Sequence, residues 1–139
     1  MRLLNHLRPF GLLVLRVVLG AVLIAHGEGK LFGGLHPHTA FVATLGMPAW
    51  MGYLSAGTEF FGGILLVAGL FTRFVGIAVT IEMLVAIFKV HLKNGLIGGP
   101  GHEGYQLPLL VCAIAFSLVS LGAGSISLDW LFGGHKGRG

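Results

Sequence analysis

Four apolar runs take up most of this chain: Phe10 to Ala25, Trp50 to Phe71, Phe74 to Val90, and Leu107 to about Leu121. A helix that crosses the ~30 Å hydrocarbon core of a bilayer needs ~20 mostly apolar residues, and the runs approach or reach that length. A soluble fold is excluded by what remains. Of 139 residues, 55% are hydrophobic and only 10% charged, with a mean hydropathy of +0.89, whereas a soluble domain is about a quarter charged. The pattern predicts an all-α fold, an integral membrane four-helix bundle. Residues 1–139 form one transmembrane domain with helices over about 10–28, 50–71, 74–92 and 106–122.

Arg2 and Arg8 ahead of the first run look like the basic start of a signal peptide, but Arg16 interrupts the run and no small-x-small cleavage pattern follows. That segment is therefore expected to stay as a membrane helix. Basic residues set the orientation. Arg2, Arg8, Arg73, Lys136 and Arg138 fall on one face, and Lys30, Lys89 and Lys93 on the other, which puts both termini of a multi-pass protein in the cytoplasm. The pI of about 9.7 follows from this bias and favours anionic lipid. Without a soluble basic module carrying interleaved aromatics, a nucleic-acid partner is not expected.

Two longer connections then lie outside the cytoplasm. In the first, Thr39 is expected to cap a short amphipathic helix that ends at Gly46 before Pro48. The second, Lys93 to Tyr105, is rich in glycine and reads as a flexible lid.

Arg16, Glu59 and Glu82 are ionisable residues inside three of the apolar runs. A charge at the bilayer centre is costly enough to persist only when it is paired or serves transport or chemistry. Counting ~1.5 Å per residue from the cytoplasmic ends puts all three within about 9 Å along the membrane normal. Glu59 shares a helix face with Ser55, Gly62 and Gly63, and Glu82 shares one with Ala78, Ala86 and Lys89, so both carboxyls should face protein. One arginine cannot neutralise two carboxylates. One glutamate is thus expected to hold a proton, or to pair with Lys89 or a histidine; the plainer reading is a buried ion pair that fixes helix register.

Nearer the outer face stand His26, Glu28 and Lys30 on the first helix, Lys89, His91 and Lys93 on the third, and Tyr105 entering the fourth. Cations at helix ends often only snorkel to the headgroups. His26 and His91 are suited instead to hydrogen-bond a carbonyl-bearing ligand and to exchange protons near neutral pH. His36, His38 and His102 form no recognisable metal-ligand spacing, and no metal is expected. Cys112 is the single cysteine, so the chain cannot cycle a dithiol by itself. No strand-borne glycine fingerprint or bis-histidine haem spacing is visible, which leaves any electrons to come from elsewhere.

The stretch Arg16 to Gly33 with its His26-Gly-x-x-Lys30, then Leu45-Gly-Met-Pro48, Glu59 to Arg73 with Gly-Leu-Phe-Thr-Arg73, and Glu82 to His91 resemble the DoxX family of small bacterial four-helix membrane proteins. The likeness runs from about Leu12 to Asp129. The resemblance implies a plasma-membrane protein, the membrane subunit of an oxidoreductase or detoxification system linked to quinone or thiol chemistry. By motif, Arg16, His26, Lys30, Glu59, Arg73, Glu82 and His91 fall on the family's recurrent polar positions, without settled roles.

The leading reading is thus a redox subunit that binds a quinone or small organic ligand at a buried polar site. Glu59, Glu82, His26 and His91 would move protons, and Arg16, Lys30, Lys89 and Tyr105 would hold the ligand. A soluble or membrane redox partner protein would supply electrons, and the glycine-rich faces are compatible with a homo-oligomer. A scaffold or assembly factor without catalysis is the alternative. Proton-coupled movement of a small solute is a third, weakened by the lack of an inverted repeat or broken helix.

Overall fold

The computed structural model describes residues 1–133. Lys136 and Arg138, which entered the count of basic residues, lie outside the described residues. After a helical turn α1 (Arg2–Asn5), the long helix α2 (Arg8–Glu28) starts with Pro9 in its first turn, where proline has no hydrogen bond to break. It continues through a π-helical turn, Gly29–Gly33. Helix α3 (Leu35–Thr44) leads to α4 (Trp50–Ala68) and α5 (Thr72–Ala86), which passes into a second π-helical turn (Ile87–His91) and a 3₁₀ turn (Leu92–Asn94). A hairpin of β1 (Gly98–Gly99) and β2 (His102–Glu103), antiparallel, precedes α6 (Gln106–Leu121) and the short α7 (Leu128–Phe132).

The result is an all-α membrane bundle of α2, α4, α5 and α6. With their terminal turns, three of these helices measure 26, 19 and 23 residues and are long and apolar enough to cross a bilayer, while α6 is shorter. Large apolar side chains such as Val14, Phe61, Phe74, Ile81 and Phe116 stand exposed around the outside, as a lipid-facing surface requires. The interior is built from Leu19, Leu23, Leu66, Val79, Ala115 and Leu118 and their neighbours.

Close approach of helices organises the bundle into two pairs, α2 with α4 and α5 with α6. On the first seam, a Cβ placed at Gly20 would stand 2.6 Å from the Gly63 carbonyl oxygen, and one at Gly63 would stand 2.7 Å from that of Gly20. Gly27 abuts the backbone of Phe60 in the same way. On the second seam Gly76 faces Ala115 and Val119. Association in lipid is driven by such packing, since no hydrophobic force separates apolar helices from lipid tails.

Three local expectations are corrected. The expected helix over 50–71 stops at Ala68, because Gly69 adopts a left-handed conformation (φ 73°) and the N–H of Leu70 returns to the Leu65 carbonyl. Helix α3 begins at Leu35 and not at Thr39; Pro37 sits in its first turn without cost, so the His36-Pro-His38 run is helical. Thr39 packs instead against Gly52 of α4, with its hydroxyl donating to the His36 carbonyl. The connection 93–105, expected as a flexible lid, is tied down. The Asn94 side-chain amide donates to the Glu103 carbonyl (2.9 Å), and the N–H groups of Tyr105 and Gln106 reach the carbonyls of Gly95 and Leu96.

Candidate functional site

The row Leu12, Arg16, Leu19, Leu23, Gly27 is the buried stripe of α2, and one more turn brings Lys30 onto the same side. Gly27 lets α2 touch α4 at Phe60, so the Lys30 ammonium reaches Glu59, whose side chain is 5% exposed, at 2.7 Å. One turn earlier on α4, the Ser55 hydroxyl donates to Glu82 Oε1 on α5 at 2.6 Å. Glu82 lies within the electrostatic field of the Glu59 carboxyl. His38, half-buried on α3, completes the cluster; its imidazole is held below its ordinary value of 6.5, first by burial and then by the Lys30 charge, partly opposed by Glu59.

Three polar atoms in this cluster are buried without a hydrogen-bond partner: Glu59 Oε2, Glu82 Oε2 and His38 Nε2. Buried polar atoms are rarely left unpaired, and each such atom calls for an explanation. If both carboxyls were ionised, Lys30 would leave one negative charge uncompensated beside a second. A carboxyl that carried a proton would remove that excess charge and could offer its O–H to an acceptor. What the arrangement offers chemically is a half-exposed cation, two buried carboxyls and an imidazole, all on the side of the bundle away from the first residues of the chain.

Of the residues singled out by sequence, Lys30, Glu59 and Glu82 are brought together. Arg16 is not among them. It is 1% exposed and donates to the Ile126 carbonyl in the segment after α6, within the field of Asp129 and against Gly69. The depth estimate failed because α2 starts well beyond the end of α4: Arg16 is level with Gly69 just past that end, while Glu59 is level with Gly27. His26 is exposed and hydrogen-bonded to the Val22 carbonyl of its own helix (2.8 Å). His91 reaches the Glu103 carbonyl at 3.2 Å and so anchors the hairpin. Lys89 is exposed, turned off the Glu82 face by the wider π-helical turn. Tyr105 is half-buried at the N-terminal cap position of α6.

His38 and Ser55 are the members that the sequence alone did not assign to the site. Ser55 had a signal, four residues from Glu59 on one face. His38 had none, since its position depends on how α3 folds back across α4. Among the described residues no group of His, Cys, Asp and Glu could hold a metal ion.

Asp129 organises the opposite end. Its carboxylate accepts the N–H groups of Phe71 (2.7 Å) and Thr72 (2.9 Å), so the first turn of α5 is capped by a residue from the far end of the chain. Its own N–H donates to the Gly69 carbonyl at 2.9 Å.

The DoxX family model matches residues 11–92, which hold Lys30, Glu59 and Glu82. A protein of Bacillus subtilis (strain 168) named "Putative oxidoreductase CatD" is 33% identical over 96% of this chain and 96% of its own length. An uncharacterized protein of Haemophilus influenzae is 34% identical over 91% of the chain and 93% of its own length. No solved structure matches.

Proposed function

Since the chain belongs to the DoxX family of membrane proteins, we propose that it is the membrane-integral part of a redox system and that Lys30, Glu59, Glu82, Ser55 and His38 form a site exchanging protons with a small carbonyl-bearing ligand such as a quinone. The name of the Bacillus relative supports an oxidoreductase context. The observation that carries the reading is the pair of buried carboxyls with one unpartnered oxygen each, next to the half-exposed Lys30. A buried ion pair alone needs one carboxylate, and a second within its electrostatic field is a cost that proton exchange explains.

The donor set fits such a ligand. Lys30 and the His38 ring can donate to a carbonyl oxygen, and the carboxyl pair can pass a proton to it. Electrons would come from a soluble or membrane partner protein. Residues 2–8 and Arg73 would face the cytoplasm of a bacterial plasma membrane, with Lys30 and the hairpin outside. In a Cys112→Ser background, a cysteine at His102 should react with an impermeant thiol reagent applied from outside, and one at Arg2 should not.

Two measurements on purified protein test the site: binding of a short-chain benzoquinone, and redox turnover after reconstitution with its donor. Glu59→Gln and Glu82→Gln keep volume and hydrogen-bonding reach but lose proton exchange. Each should leave the melting temperature near wild type and abolish turnover. Full turnover in both stable variants would make the cluster a structural pair and the protein a scaffold.

A further inference from the structure

At the end of the bundle where α2 begins, a cleft of about 970 Å³ opens between the start of α2, the α4–α5 connection and the segment after α6. Arg8 and Arg73 line it, both exposed. The Arg73 guanidinium lies against Gly122, where a Cβ would stand 3.2 Å from its Nε and Nη2. Thr72 also lines the cleft; the residue is 0% exposed, and its hydroxyl is buried with no partner.

Asp129 is the acidic residue of this wall, but its two oxygens are occupied by the Phe71 and Thr72 amides, and buried Arg16 stands within its field. The wall therefore keeps a net positive charge. The first amides of α5 are not the anion site, because Asp129 already holds them. Apolar Leu12, Phe71, Phe74 and Leu121 share the cleft with these groups, and Phe74 is 74% exposed on the lipid-facing surface.

A ligand suited to this cleft has an anionic head, takes a hydrogen bond from a buried hydroxyl and carries apolar chains that run out along α5. We propose that the cleft binds the phosphate of an anionic phospholipid, with Arg8 and Arg73 on the phosphate oxygens and the Thr72 hydroxyl donating from the floor. Basic pockets between membrane helices recognise anionic headgroups by this chemistry. The site is separate from the carboxyl pair and does not depend on the redox reading.

The test uses the full chain in neutral detergent. Phosphatidylglycerol, phosphatidylcholine of the same acyl composition, and inorganic phosphate are added in turn, with retention read by native mass spectrometry and stability by thermal unfolding. Phosphatidylglycerol alone should be retained and raise the unfolding midpoint. Arg8→Gln with Arg73→Gln should weaken its apparent affinity by about 30-fold, while Lys93→Gln at the opposite end should not. If the double variant does not fold, Thr72→Val and single Arg73→Gln carry the test, because both leave the Asp129 cap in place, and each should weaken phosphatidylglycerol. Equal retention of the two lipids overturns the proposal. So does a loss from Lys93→Gln equal to that from the arginine changes, or a stabilisation by inorganic phosphate matching that by phosphatidylglycerol, which would make a soluble phosphate the ligand.

Discussion

The Lys30 ammonium stands 2.7 Å from Glu59 Oε1, joining the last turns of one membrane helix to the middle of its neighbour, with the cation 30% exposed and the carboxyl 5%. The geometry gives the buried acid a counter-charge that still reaches the surface. Any group that approaches the pair from the surface therefore meets the lysine first.

Lys30→Met should leave Glu59 without its charged donor and destabilise the protein by about 2 kcal/mol, within the range for a hydrogen bond to a charged group. Adding Glu59→Gln should restore most of that loss, because an amide needs no counter-charge. Chemical unfolding of the two variants decides it; unchanged stability in Lys30→Met would show that the pair does not hold the helices.

Arg16 and the glutamates should behave as independent sites. In double-mutant cycles, Arg16→Met combined with Glu59→Gln or Glu82→Gln should add to within about 0.5 kcal/mol, whereas Arg16→Met with Asp129→Asn should not. Additivity with Asp129 and coupling with Glu59 would contradict the arrangement described.

The α2–α4 seam makes a steric prediction. Gly27→Ala and Gly63→Ala should each cost roughly 1–3 kcal/mol, the range for overpacking, since the new methyl group meets backbone that cannot rotate away. Gly11→Ala, with nothing within 4 Å, should be neutral or slightly stabilising. Thermal unfolding in detergent compares the three. Gly27→Ala carries a second signature, because moving α2 off Phe60 also draws Lys30 away from Glu59.

His38 gives a pH dependence of known sign. Burial, followed by the Lys30 charge, holds the imidazole below its ordinary value of 6.5, with Glu59 opposing. The unfolded chain then binds more protons than the folded one as pH drops below 6.5, so this contribution to stability is intact above that value and declines as pH falls toward the folded pKa. His38→Gln should flatten the decline between pH 7 and mildly acidic pH, about 5. An unaltered pH profile in that variant would place the titration elsewhere.

The bundle was legible because burial in a bilayer leaves long apolar runs that no other class of fold requires. The buried glutamates were legible for the same reason, as exceptions within those runs. Relative depth was not. It depends on where each helix begins and how far it overhangs its neighbour, and the first turns of α2 overhang the end of α4 enough to put Arg16 and Glu59 at different levels. Lys89 was misplaced by a related effect, since a π-helical turn changes the phase on which face-sharing arguments rest. His38 and Asp129 act through contacts between residues distant in sequence. The helical period is silent about those.

The two glycine seams pack α2 closely on α4 and α5 on α6, so each pair forms one packed body. Glu59 rides on the first body and Glu82 on the second. Their separation is therefore a gauge of how the bodies sit, like the gap between the jaws of a caliper. Helices at interfaces slide by about 1–2 Å in many transitions, and a slide of that size would part the carboxyls or press them together. If the site takes up protons as proposed, its acidity and the mechanical posture of the bundle would be two readings of one coordinate, and whatever shifted one helical pair against the other would change that acidity without touching the carboxyls.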